Sequence, residues 1–201
     1  MQNHDTDYFS SMLGSRICHD LISPLGAIAN GVELMQMSGE NLGPEVDLIT
    51  QSVQHANARI RFFRIAFGQS LTDQRIALQE LRSVLTDITA TGKQSYELTG
   101  DGDTHRMDAK LLFLTLLCLE TGLPWGGKTA ITHTKDGWDI TATSDRLQIN
   151  PTLWANLNRT DEYENIKPAT LQFALLPSLL KDTGRRISMR PTDNEIHITL
   201  T

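Results

Sequence analysis

The chain has 201 residues, of which 39% are hydrophobic and 21% charged, the composition of an ordinary globular protein with one large domain or two small ones. Eighteen Lys and Arg against 24 Asp and Glu give a net charge of -6, which argues against coating nucleic acid or an anionic membrane as the main task. Cys18 and Cys118 form no CxxC pair or framework, so reduced thiols in a cytoplasmic protein are expected.

The first residues, MQNHDTDYFSS, carry neither a basic nor an apolar segment of a signal peptide. Residues 7–38 read as one long helix. Leu13, Ile17, Leu21, Leu25, Ile28, Val32 and Met35 recur at steps of three and four and make one apolar stripe. Pro24 predicts a kink one turn upstream. Gly39 and Gly43 stop the helix and Pro44 restarts the chain. A second helix over 45–68 carries Val46, Ile49, Val53, Ala56, Ile60, Phe63 and Phe67. The short connection makes the two an antiparallel hairpin. A lone pair of helices leaves apolar surface wet, whereas two copies close a four-helix bundle. A homodimer through this hairpin is expected, the alternative being that the second half of the chain covers it.

From Gly68 the texture changes, and a boundary near residue 70 divides a helical hairpin (1–70) from a second domain (71–201). Residues 68–76 read as a polar connection and 79–91 as a helix. Residues 94–99 alternate as a strand, followed by a Gly-Asp turn at Gly100–Asp103. The most apolar run, Leu111–Leu119, is too short for a bilayer, which takes about twenty residues. It belongs to a buried core helix over 107–122. Strands 128–134 and 137–143 flank Lys135-Asp136-Gly137, a hairpin signal. A short helix spans 151–159, opened by Pro151. A helix over 168–183 ends at Gly184, and strands 186–190 and 195–200 close the chain. This second domain is an α+β sandwich with helices on one face of a mostly antiparallel sheet.

None of the six histidines has a partner at zinc-ligand spacing, and no Walker loop, dinucleotide fingerprint or nucleophile elbow is present. No metal site is expected. His19 stands apart from the others. It lies about 200° around the helix from both Ile17 and Leu21, off the core stripe. Ser15, Arg16 and Ser23 are its helical neighbours, and Gly26 keeps the same face low. That set suits a surface nucleophile reached by another protein. A neutral imidazole offers a nitrogen lone pair near pH 7. Asp20 can hold the other ring N–H and stabilise the charge that appears on attack. Ser23 could position a phosphoryl group or a water, and Arg16 could neutralise phosphate oxygens. An idle surface histidine is the plain alternative. A metal-dependent His-Asp phosphohydrolase needs further ligands in an all-helical fold, which the α+β half opposes.

His19-Asp20-Leu21-Ile22-Ser23-Pro24 resembles the H-box of sensor histidine kinases, and the helix over 45–68 resembles the other arm of their dimerisation and phosphotransfer hairpin. The α+β half has the element order of the Bergerat (GHKL) ATPase domain. Three nucleotide-binding elements of that domain are absent. The helix over 107–122 carries no asparagine, the loop Thr143-Ser144-Asp145-Arg146-Leu147 carries no glycine, and neither does Asn165-Ile166-Lys167-Pro168-Ala169. A glycine-free, uncharged pocket does not cradle a triphosphate. This combination, with Gly126-Gly127 after Pro124-Trp125, resembles the ChpT-type histidine phosphotransferases of alphaproteobacteria.

The resemblance implies a cytoplasmic homodimer that controls the cell cycle. His19 accepts phosphate from the receiver domain of a hybrid kinase and passes it to response regulators. Asp20 is then the orienting base and Ser23 tunes dephosphorylation. The receiver docks along Ser15, Arg16, Ile22 and Gly26. Mg²⁺ belongs to the receiver, and no ATP, nucleic acid or membrane is involved. A dimeric decoy that inhibits a kinase or receiver, or a divergent active kinase, would be the other readings. Arg59, Arg61 and Arg64 read as a solvated face or, alternatively, as docking an acidic receiver. Met12, Met35, Met37, Phe62 and Phe63 read as core or dimer interface, and Trp125, Trp138 and Trp154 as core of the second domain.

Overall fold

A computed structural model describes residues 2–38, 43–70, 73–159 and 166–201. Side chains are described from Leu13 onward within these, save those of Gly14, Ser15, Cys18, His19, Ile22, Gln36, Ser38 and Gly43. Two long helices come first, α1 (Gln2–Ser38) and α2 (Gly43–Ala66). Pro24 sits inside α1 without ending it. Asp20 meets Arg59 while a Cβ on Gly31 would fall 2.5 Å from the Ile49 side chain. The two helices are therefore antiparallel, and the missing side chain at Gly31 lets them approach closely.

The second half places β1 (Arg75–Ala77) and β3 (Asp103–His105) in a small antiparallel pair around α3 (Leu78–Thr91) and β2 (Gln94–Thr99). The sequence pattern places 75 and 76 in a connection and 103 in a turn. Three-residue strands are too short to show a period of two. There follow α4 (Arg106–Gly122), β4 (Gly127–His133), β5 (Trp138–Thr143), α5 (Pro151–Ala155), α6 (Gln172–Thr183), β6 (Ile187–Pro191) and β7 (Glu195–Leu200). The helices expected over 151–159 and 168–183 are each part α and part 3₁₀, with tight turns at Asn156–Asn158 and Pro168–Thr170. The main sheet has the order β2-β4-β5-β7-β6. Only the β2–β4 pair is parallel. Its chain crosses between them through β3 and α4, as a parallel connection requires.

Alternate residues of β4, β5 and β7 are buried, so one sheet face is covered and the other is wet. Gly137 turns the β4–β5 hairpin at φ +151°, where a Cβ would strike the Leu200 carbonyl. Gly184 ends α6 at φ +68°, the left-handed cap the sequence predicts.

The core centres on α4. Every residue from Leu111 to Leu119 is at most 2% exposed. A helix apolar all round must be enclosed on all sides, and α4 is enclosed by the sheet, by α6 and by α2. Phe113 meets Phe62 of α2 with ring centroids 4.6 Å apart. At the first turn of α4, Arg106 Nη2 donates to the Arg64 carbonyl at 2.7 Å and Lys110 Nζ to the Gly68 carbonyl at 2.9 Å. These cations satisfy carbonyls left over at the end of α2 and complement its dipole. Phe113→Ala should lower the unfolding free energy by about 3–5 kcal/mol, read as a shift in the urea midpoint at unchanged slope.

Candidate functional site

Arg16, Asp20 and Ser23 stand one helical turn apart along α1, and His19 lies within that stretch of backbone. The side chains of His19, Ser15 and Ile22 lie outside the described residues. Ser23 and Gly26 are exposed, and a Cβ at Gly26 would meet nothing within 4 Å. That face of α1 is low, as the sequence suggests. Asp20 and Ser23 line a groove of 580 Å³ shared with His55 and Arg59 of α2. Thr91, Gly92, Lys93 and Gln94 from the α3–β2 turn, and Glu120, Leu123 and Pro124 from the end of α4, form its other wall. The H-box turn therefore opens onto a cleft between the hairpin and the second half of the chain.

Charge along the floor of this cleft is tightly paired. Arg59 grips Glu120 with both arms, Nη1 to Oε1 at 2.8 Å and Nη2 to Oε2 at 2.7 Å. The same Nη2 reaches Asp20 Oδ2 at 3.4 Å. Arg16 Nε donates to that oxygen at 3.2 Å, and Tyr96 Oη donates to Glu120 Oε1 at 3.2 Å. Burial alone would make the Arg59 guanidinium easier to deprotonate; Glu120 first and Asp20 second outweigh it and hold its pKa above the ordinary arginine value. Burial, and then the Glu120 charge, push the Tyr96 phenol well above 10.0.

Two placements differ from the sequence reading. Arg16, taken as an exposed phosphate ligand and docking residue, is 7% exposed, and its Nη1 donates to the Ala169 carbonyl. Its long stem crosses from α1 to the turn before α6, so the charge faces inward. Arg59, taken as part of a solvated face, is half-buried against Phe62 and Phe63, with its guanidinium 5.4 Å from the Phe63 ring centre. Only Arg64 of that trio is exposed. Arg61 pairs with Asp87 of α3. Glu120, Tyr96 and His55 were missed as site residues. Glu120 left one trace, a single carboxylate directly after the most apolar run of the chain.

Residues 78–195 match the family described as histidine phosphotransferase C-terminal domain. The protein phosphotransferase ChpT of Brucella abortus (strain 2308) is 30% identical over 192 residues, spanning 92% of this chain and 91% of that protein. A solved bacterial phosphotransferase superposes with a TM-score of 0.82 at 28% identity, covering 96% of this chain and 95% of that one. The chain belongs to the histidine phosphotransferase family. It is an enzyme of phosphoryl transfer in a phosphorelay.

The family assignment makes the interior of α4 informative. Where the resemblance places nucleotide-binding asparagines, this chain buries Leu112, Phe113, Leu116 and Leu117 completely. Asp108 at its start is committed to Arg185, Oδ2 accepting from Nη2 at 2.7 Å. Cys118 is fully buried, which pushes its thiol pKa up and leaves it a packing residue. Of the three tryptophans expected in the core, Trp138 and Trp154 are buried, whereas Trp125 is 53% exposed with the Arg146 guanidinium 4.2 Å above its ring. Trp125 precedes β4, beyond the helical cover of the sheet. Among the described residues, no helix is long and apolar enough to cross a membrane.

Because folding raises the Tyr96 pKa, its contribution to stability is intact below pH 10 and is lost as the pH climbs above that. Wild type should lose up to about 1.4 kcal/mol per pH unit above pH 10 from this group. Tyr96→Phe should show a correspondingly shallower fall, measured by urea unfolding at pH 9, 10 and 11 with phenolate absorbance in parallel.

Proposed function

We propose that His19 accepts a phosphoryl group from an aspartate in the receiver domain of a hybrid kinase and passes it to response-regulator aspartates, without ATP. The observation that carries this reading is the cleft. The H-box carboxylate and Ser23 open onto it, so a partner's loop entering it arrives beside the His19 turn. The partner aspartyl phosphate brings its own Mg²⁺. No triphosphate is needed from this chain, in keeping with an α4 whose middle is solid apolar core.

In transfer, an imidazole nitrogen of His19 attacks phosphorus with its lone pair. The P–O bond to the partner carboxylate breaks and its electron pair returns to that carboxylate. The ring keeps the proton on its other nitrogen and gains positive charge, which Asp20 offsets. Return to a second aspartate reverses each change. Ser23 orients the phosphoryl oxygens or a competing water.

The working unit is a homodimer closed through the hairpin, with residues 1–70 and 71–201 as its two domains. Leu25, Val32, Val46, Val53 and Ile60 are each more than 40% exposed in the single chain. They follow the spacing of one apolar seam along both helices. Covering what remains exposed contributes about half of the ~1.5–3 kcal/mol of a fully buried aliphatic side chain, and a second copy offers matching surface. Cytoplasmic location and cell-cycle regulators as acceptors complete the reading.

A hybrid kinase from the same organism, charged with labelled ATP, should transfer alkali-stable label to wild type and none to His19→Ala. ATP alone should label neither; label from ATP alone would make the chain a kinase. A folded, kinase-bound dimer that takes no label would instead be a decoy. Val32→Glu with Val53→Glu should convert the dimer to a monomer by light scattering and leave the strand signal of the second half in place.

A further inference from the structure

Glu120 belongs to no motif of the hairpin. It sits near the end of α4, in the second half of the chain, yet its carboxylate grips a cation that also reaches the H-box acid. The Arg59 guanidinium is shared unequally, with two bonds at 2.7 and 2.8 Å to Glu120 and one of 3.4 Å to Asp20. The side chains of Arg59, Asp20 and Glu120 are only 16%, 11% and 14% exposed, so solvent screens these charges weakly.

We propose that Glu120 is a positioning residue for phosphotransfer, holding Arg59 by both arms so that Asp20 keeps its charge available to the His19 ring. The proposal rests on His19 as the phospho-acceptor. Its physics is a competition. A bidentate arginine–carboxylate pair is the stronger and more directional contact, so Glu120 takes most of the guanidinium's field. Without the Glu120 charge, Arg59 turns its full charge on Asp20. A carboxylate neutralised in that way supports less of the positive charge that the ring gains during attack. Transfer to His19 then slows, and the equilibrium moves back toward the partner's aspartyl phosphate.

Other groups set the background against which this competition is read. Arg16 shares the Asp20 oxygen from α1, Tyr96 of β2 bonds Glu120, and His55 of α2 and Lys93 of the α3–β2 turn line the same cleft. The Cys118 thiol on α4 lies near enough to feel Arg16. His55 is the imidazole that lines the cleft from α2, so each comparison is repeated in a His55→Gln background that removes it.

The experiment follows label from a charged receiver domain to the full-length protein between pH 5.5 and 8.5, at saturating and at limiting receiver. Glu120→Gln should cut the saturated rate about tenfold, leave half-saturation unchanged and move the acid limb of the profile to lower pH. Arg59→Gln removes the cation, so its acid limb should move to higher pH. Glu120→Asp, which keeps the charge, should recover most of the rate. Opposite shifts of the two limbs cannot come from a loosened interface, which would move both variants together. Limbs that stay in place, or move the same way, overturn the proposal. Should Glu120→Gln unfold, Arg59→Gln decides alone, an unmoved limb overturning it. Label in wild type that persists in His19→Ala would instead sink the acceptor assignment, and the proposal with it.

Discussion

Arg59 is the side chain on which the two halves of this molecule depend. It starts on the hairpin, lies over Phe62 and Phe63, and ends between a carboxylate of the hairpin and one of the second half. A cation buried this deeply is tolerable only where opposite charge meets it directly. Removing either partner strands a charge, so the interface has one charge-balanced arrangement of these groups. The apolar contacts around it, Phe62 on Phe113 above all, supply cohesion without direction. The ionic contact supplies the register, and it does so at Asp20, within the H-box turn.

The second half of the chain makes sense in the same terms. It keeps a helix-covered five-stranded sheet, while its central helix has become solid core. Leu and Phe at those positions contribute hydrophobic burial where a nucleotide site would need polar, solvated groups. The last turns of α4, and the α3–β2 turn beside them, form one wall of the cleft. The second half thereby presents a fixed surface beside the H-box. The arms of Arg16 and Arg59 reach it from two different helices, which resists rotation of one half against the other.

Much of this was legible in the sequence, and the reason is period. The long stripes of α1 and α2, the run Leu111–Leu119, the turn at Gly137 and the cap at Gly184 each write their structure into consecutive residues. The H-box is legible for the same reason, being a short contiguous motif. What stayed hidden joins residues far apart. Arg59 and Glu120 are 61 positions from one another, Arg16 and Ala169 are 153 apart, and no local pattern marks either pair. Long basic side chains also mislead in a specific way. A charge on a helix suggests water, but a flexible stem can carry that charge inward to a carboxylate or a carbonyl. The small pair β1–β3 was invisible because three residues cannot show an alternation.

The apolar residues left outside follow from the same division of labour. Within one chain, the second half covers the end of the hairpin near Phe62, Phe63 and Ala66, all buried, while Val46, Val53 and Ile60 stay open on α2. The covered and uncovered residues of α2 therefore lie on different faces of one helix. One face is committed to the fold of the chain, and the other is the one that the proposed dimer would cover. The proposed nucleophile on α1 fits a third direction, since Ser23 stays exposed at the cleft and Gly26 beside it leaves that face low. On the proposed reading, packing within the chain and between copies would leave the chemistry to the side of the hairpin that another protein can still reach.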